Sequence, residues 1–391
     1  MAKKIMSSFL IGTVGALIII VVSASGSFMP AKYLDPWNKN YATKFEDPRV
    51  QIAAQALLAP NGHNMQPWKI KLDSQNKDVF YLFGDPERLT PEIDPPARQF
   101  TLTQGTFLGY ARIAAGKMGY KTDIVFFPNG EYDEQGQKES ILNKPVAKIT
   151  LQKSIVEENP LYDAMFLPDT NRSPYKPDNL DSQQTENLTA QNQEDNNLGV
   201  KIYQEPEKTA TIKKLALQAM DIETNVHRIN ALNSTLVRVN EYQKNQFRYG
   251  FALDSQGTSG LMLHVMQSLL TIAPMLNSEQ SSRDLVMKNT RAALDATPAY
   301  LTITTKDNSR TSQVKAGMLY SRILLTARTM GFVLQPLSQC LEEYPEMKNV
   351  YQQAYTALAD KGETLQMLTR IGNPTREDPR TMRRDVLEII E

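Results

Sequence analysis

Two stretches of this 391-residue chain repeat one another at a fixed offset, and the repetition narrows the folds open to it. Gly105 matches Gly317, Ala115 matches Ala327, Met118 matches Met330, Gly119 matches Gly331, and Tyr120 is answered by Phe332. Each stretch carries apolar residues at helical spacing, stops at a glycine suited to a left-handed cap, and runs on into strand-like sequence. Two related halves within one polypeptide account for the match. Two unrelated amphipathic helices of similar pattern give the same signature, and that alternative stays open at this level.

The elements around the repeat fit an α+β chain. In the first half the pattern predicts a helix over 50–58, strands over 68–72 and 79–83, a helix over 101–118, and strands over 122–127 and 146–151. Residues 176–197 are almost wholly polar, without an aromatic side chain, and read as a solvated linker or a mobile lid. Beyond them come a strand near 200–203 and helices over 209–230, 235–247 and 260–275. A strand at 299–305, a helix at 312–330 and a strand near 367–371 follow. The expected divisions are 1–27 as leader, 28–47 as tether, 48–175 as first half, 176–198 as polar linker or lid, and 199–391 as second half.

Between the first helix and the first strand lies Leu58-Ala59-Pro60-Asn61-Gly62-His63-Asn64-Met65-Gln66-Pro67-Trp68. Pro60 ends the helix, Pro67 stiffens the exit, and Gly62 gives the backbone freedom. The loop delivers two amide side chains, Asn64 and Gln66, to a strand edge. Rigid, uncharged donors and acceptors suit a planar heteroaromatic ring such as an isoalloxazine. An ordinary helix-to-strand turn is the plainer reading.

Bulk properties exclude several classes. Lys plus Arg and Asp plus Glu both total 43, so the chain lacks the basic excess of a nucleic-acid binder. The single cysteine, Cys340, sits in apolar sequence and reads as a buried thiol. The three histidines, His63, His227 and His264, show no metal-ligand spacing. At the N-terminus Lys3 and Lys4 precede an apolar run from Ile5 to Ala24, near the length needed to span a bilayer. It is expected to be a membrane anchor or a cleaved signal, with the rest of the chain at the inner membrane's extracytoplasmic side or in the periplasm.

The residues also carry a resemblance. Asp47-Pro48-Arg49, Leu58-Ala59-Pro60-Asn61, His63-Asn64 and Gln66-Pro67-Trp68 closely resemble the flavin-binding loop of nitroreductase-like proteins, nearest to the single-chain Acg-type branch. Pro91-Glu92-Ile93-Asp94-Pro95, Thr170-Asn171-Arg172-Ser173-Pro174-Tyr175, Met330-Gly331-Phe332, Gln335-Pro336-Leu337 and Arg383-Arg384 look like that branch too, in the same order. The resemblance implies a nitroreductase-like fold: a mixed central sheet flanked by helices, with a dimer fused into one chain and a C-terminal strand crossing between halves. It implies FMN as cofactor, held between the halves of a monomer.

Carried over residue by residue, Pro60, Asn61, Gly62, Asn64 and Gln66 would face the ring and ribityl chain. Asn171 and Arg172 resemble a phosphate-proximal motif, Gln335 and Pro336 belong to an apolar segment beneath the ring, and Arg383 and Arg384 would meet the phosphate. Asp169 departs from the pattern, standing where relatives carry a cation. The implied function is an FMN-dependent oxidoreductase passing electrons to a small acceptor, with no catalytic side chain required. A protein that sequesters FMN under a lid, without turnover, is the alternative.

Overall fold

Trp68 and Ile70 alternate with Lys69 and Lys71, so β1 (Trp68–Leu72) turns one face inward. It pairs antiparallel with β2 (Val79–Gly84), and β3 (Tyr120–Phe126) and β4 (Ala147–Lys153) complete a four-stranded sheet in the order β1-β2-β4-β3. The structure, a computed structural model, describes residues 18–133, 138–192, 195–256, 258, 260–276 and 278–391. A second sheet has the same plan. Its strands are β5 (Leu198–Tyr203), β6 (Ala299–Thr305), β7 (Val333–Pro336) and β8 (Thr364–Gly372), in the order β5-β6-β8-β7 and again antiparallel. The chain is thus α+β with two related halves, each built on its own four-stranded sheet. Among the described residues two isolated bridges link the halves: a parallel one from Ile70 to Ile390, where the C-terminus reaches the β1 edge, and an antiparallel one from Tyr175 to Pro374.

Helices join the halves. In the first, α1 (Pro48–Ala56) starts at Asp47, whose side chain accepts from the Arg49 N–H, with Pro48 in the first turn. After β2 comes α2 (Arg98–Lys117). In the second half, β5 is followed by α3 (Pro206–Asn225), α4 (Glu241–Phe247) and α5 (Gly260–Ile272). After β6 comes α6 (Arg310–Thr329), at the α2 offset residue for residue.

The two long helices cross where the repeated glycines lie. A Cβ on Gly105 would sit 1.9 Å from the Val314 carbonyl oxygen, and one on Gly317 would sit 1.9 Å from that of Leu102. Each glycine thus meets the counterpart of the other's neighbour, and only glycine lets the backbones come this close. The crossing is a local two-fold axis between related halves.

The halves differ around that axis. The polar stretch expected to be a linker or lid contains a helix, Ser182–Thr189, with a capping box between Asp181 and Gln184 and with Leu188 buried in the second core. It stands before β5 as α1 stands before β1. The first sheet joins its first two strands by a tight turn, whereas residues 204–298 are inserted between β5 and β6. Within that insertion Val237–Arg238 pairs in parallel with Phe251–Ala252, where one continuous helix was expected over 235–247.

The membrane-spanning leader needs correcting. Residues 1–17 lie outside the described residues, and residues 18–25 form a short helix. No helix among the described residues is long and apolar enough to cross a membrane. A span with the inner-membrane or periplasmic placement it implied is therefore not carried forward.

Candidate functional site

Residues 57–67 join α1 to β1 through strained backbone. His63, Asn64 and Gln66 have φ values of 53°, 52° and 50°. That left-handed conformation costs a residue with a side chain about 1–2 kcal/mol, and it persists only where the surroundings dictate it. Here they do. The Gln66 N–H donates to Asn61 Oδ1 (2.8 Å), the Gly62 N–H to Thr103 Oγ1 (3.3 Å), and Thr106 Oγ1 to the Pro60 carbonyl (2.6 Å).

Two other segments close on this loop. From the C-terminal arm, Arg383 Nη1 donates to Asn64 Oδ1 (3.0 Å) and the Arg384 N–H to Gln66 Oε1 (2.8 Å). The Met382 carbonyl accepts from Asn64 Nδ2 (3.1 Å) and Gln66 Nε2 (3.3 Å). From the insertion, the Gly250 carbonyl accepts from Asn64 Nδ2 (3.2 Å), and the Arg248 carbonyl from Gln66 Nε2 (2.9 Å). The Gly250 N–H returns a bond to the Asn64 carbonyl (3.2 Å). Loop, arm and insertion thus meet at Asn64 and Gln66, both buried. The side-chain amides of both residues are fully engaged with protein.

Charge is arranged unevenly. The Arg383 guanidinium is fully buried, with Nη2 2.8 Å from Asp169 Oδ2 and its centre 4.9 Å from the Trp37 ring. Asp169, the residue that departs from the family pattern, is the counter-ion of a buried arginine. Arg384 is 3.3 Å from Glu388, so both members of the C-terminal pair arrive with acids. Two other cations, Arg172 and Arg380, line a cavity of about 50 Å³ with Asn61, His63, Asn64 and Asp169. The Arg172 N–H donates to Asp378 Oδ2 (2.6 Å), but among the described residues neither guanidinium is paired with a carboxylate; Arg380 donates to the Phe166 carbonyl (2.9 Å). Two buried polar atoms nearby, Asp169 Oδ1 and Arg383 Nε, lack a partner. Burial, with Arg172 adding to it, pushes the His63 pKa down to about 4, so its ring is neutral near pH 7.

The remaining expected site residues gather elsewhere. Gln335 and Pro336 lie on β7, where Gln335 Oε1 accepts from Arg370 Nε (2.6 Å). Arg370 is also buried and reaches the Asn171 carbonyl (3.1 Å), while the Asn171 N–H donates to the Leu334 carbonyl (2.9 Å). The segment 169–172 therefore spans two clusters: Asp169 on the Asn64 side, Asn171 on the Gln335 side. Arg380, which the resemblance set near the phosphate alongside Arg370, does line this cavity, whereas Arg248 and Gly250 were not anticipated as part of the site. Asp169 left a signal in the sequence, as a break in the pattern that residues 170–175 otherwise resemble.

No family model matches the chain. Two Mycobacterium tuberculosis proteins described as uncharacterized, from different strains, are each 31% identical over 81 residues, or 20% of this chain and 24% of theirs. The chain thus spans about a quarter of the length of the curated relatives it matches. Among solved structures, a nitroreductase-like family protein from Bacillus cereus aligns at 9% identity with a TM-score of 0.33, covering 61% of this chain and 98% of its own. A nitroreductase with bound FMN from Desulfitobacterium hafniense aligns at 10% identity and a TM-score of 0.33, covering 58% and 96%. A BluB-like flavoprotein from Clostridium difficile aligns at 14% identity and a TM-score of 0.33, covering 59% and 96%.

Proposed function

We propose that this chain binds FMN and works as a nitroreductase-type oxidoreductase, passing electrons to a small-molecule acceptor. One observation carries the reading. The Asn64 loop of the first half meets the Arg383 arm of the second beside a cavity lined by Arg172, Lys244 and Arg380 together with Asp169 and Asp254, the kind of joint that a cofactor held between fused subunits requires. The flavin-loop resemblance of residues 47–68 points the same way.

The residues fit the anionic end of the cofactor. Among the described residues Arg172 and Arg380 present guanidinium groups without acid partners, and a phosphate takes paired guanidinium contacts well. The ring end does not fit in this arrangement. A cavity of about 50 Å³ falls short of the roughly 300 Å³ at which ordinary ligand pockets begin, and the amides of Asn64 and Gln66 are already bonded to protein. When bound, the flavin would supply hydride or electron transfer. The chain's part is to capture phosphate through Arg172 and Arg380, fix the loop through Arg383 and Asp169, and exclude water with residues 248–255.

The test is equilibrium dialysis of the full chain against FMN, read by its visible spectrum. Arg172→Ala with Arg380→Ala should weaken retention at least tenfold; a chain that stays colourless in excess FMN overturns the proposal. The covered loop favours a second reading, in which FMN is held without turnover. Fast bleaching by dithionite, then reoxidation by a nitroaromatic or quinone, supports catalysis; very slow bleaching supports storage.

A further inference from the structure

Helix α5 turns polar side chains inward and apolar ones outward. Gln267 Nε2 donates to Glu241 Oε1 (2.9 Å) and Ser268 Oγ to the Val21 carbonyl (2.8 Å), while Asn240 Nδ2 donates to the exposed Thr271 at Oγ1 (2.9 Å). Gln267 and Ser268 are 1% and 3% exposed. The outward side holds Leu261, Met262, Val265, Leu269 and Ile272, spaced so that all five share one side of a helix with 3.6 residues per turn. Leu261 is 77% exposed and Ile272 62%, and the patch continues through Met275 at 86% and Leu276. An ordinary surface helix has the opposite polarity, and an exposed apolar patch of this kind marks an interaction site.

We propose that this face docks onto a lipid surface, with α5 lying in the interfacial plane. Two observations favour lipid over a protein partner. Residues 260–276 contain no Asp, Glu, Lys or Arg, and the outward face has none of the aromatic or arginine anchors that concentrate binding energy at protein interfaces. The helix at residues 18–25 abuts α5 through the Ser268–Val21 bond, and its exposed Ile18, Ile19, Ile20 and Val22, with Phe28 beyond, add to the apolar surface. An α5 of 13 residues is about 20 Å long, too short to cross a bilayer and suited to lying within its headgroup boundary. The proposal needs no spanning helix and does not depend on FMN.

Flotation of the full chain with vesicles of phosphatidylethanolamine and phosphatidylglycerol tests it. The wild type should rise with the vesicles, and Leu269→Glu with Ile272→Glu should lower the bound fraction at least tenfold while circular dichroism shows an intact fold. Leu261→Gln with Val265→Gln, on the same face, serves if the first pair does not fold. A wild type that stays at the bottom, or variants that float equally well, overturn the proposal. So does a dimer in light scattering that the variants abolish, since a second copy would then cover the face.

Discussion

The two halves share a strand order, a central helix and a glycine crossing, yet only one carries the loop that gathers a site. Before β1 stand α1 and the strained segment 57–67; before β5 stand a polar helix and the short stretch from Ala190 to Asn197. The second half has instead gained residues 204–298, part of which reaches over to bond Asn64 and Gln66 of the first. A symmetric dimer would own two equivalent sites. In this chain symmetry survives where packing demands it and is gone where chemistry would sit, so one half supplies the seat and the other its cover.

The sharpest way to break this comparison is to remove one buried arginine from each of the two clusters, the one at Asn64 and the one at Gln335. Arg383 faces a buried carboxylate, whereas Arg370 is held by the carbonyls of Ala293, Asn171 and Ser173 and by Gln335. Arg383→Met should cost about 3–5 kcal/mol, because it strands the Asp169 charge. Arg370→Met should cost less, about 1–3 kcal/mol, because it strands only neutral acceptors. Urea denaturation measures both, and equal costs would show that the Asp169 contact adds nothing to the loss of the arginine.

The glycine crossing is where the halves should behave alike. Gly105→Ala and Gly317→Ala each force a Cβ toward a backbone oxygen, so each should cost at least about 2 kcal/mol. Matching losses support the two-fold axis; a difference well beyond error would show that one helix gives way and the symmetry is only apparent.

These contrasts also show what the sequence could reveal. The repeat at Gly105 and Gly317 was legible because close helix packing leaves glycines at fixed offset, and α2 and α6 fall within a few residues of their expected bounds. Strand β6 spans 299–305, as its β-branched run predicts. The Val237–Arg238 pairing was not legible, since a two-residue ladder has no period, and its neighbours carry a helix pattern. Helix α5 read as amphipathic, but periodicity alone does not say which side faces out. At the site, the meeting of Asn64 with Arg383 was foreseen, whereas the neutralisation of Arg383 was not. A buried counter-ion 214 residues away in sequence leaves no local mark beyond Asp169 itself.

A buried carboxyl pair sets the second half apart in its response to pH. Glu342 and Glu223 are both buried and face each other, and burial followed by their mutual repulsion holds the Glu342 pKa well above its usual value. For an acid whose folded pKa is raised, deprotonation favours the unfolded chain, so stability falls as pH rises above the ordinary carboxyl range. Glu342→Gln should therefore raise Tm at pH 8 and change little at pH 4. A loss of Tm at pH 8 would mean that the ionised carboxylate is needed.

The first half should respond in the opposite direction, through His63. Its ring packs edge-on against Phe251 of the insertion at 5.7 Å, in a cavity it shares with Arg172, Lys244 and Arg380 as cations and Asp169 and Asp254 as acids. With the folded pKa near 4, below the usual 6.5, the neutral ring's stabilisation is complete above pH 6.5 and is lost as pH falls toward 4. Partial exposure screens the effect, leaving on the order of 1 kcal/mol at pH 5. His63→Gln should flatten that slope in a pH series of thermal melts. Because the contact joins the loop to its cover, hydrogen exchange in residues 248–255 should quicken over the same interval in the wild type and not in the variant. Unchanged exchange would separate His63 from the cover and leave Asn64 and Gln66 as its fastening.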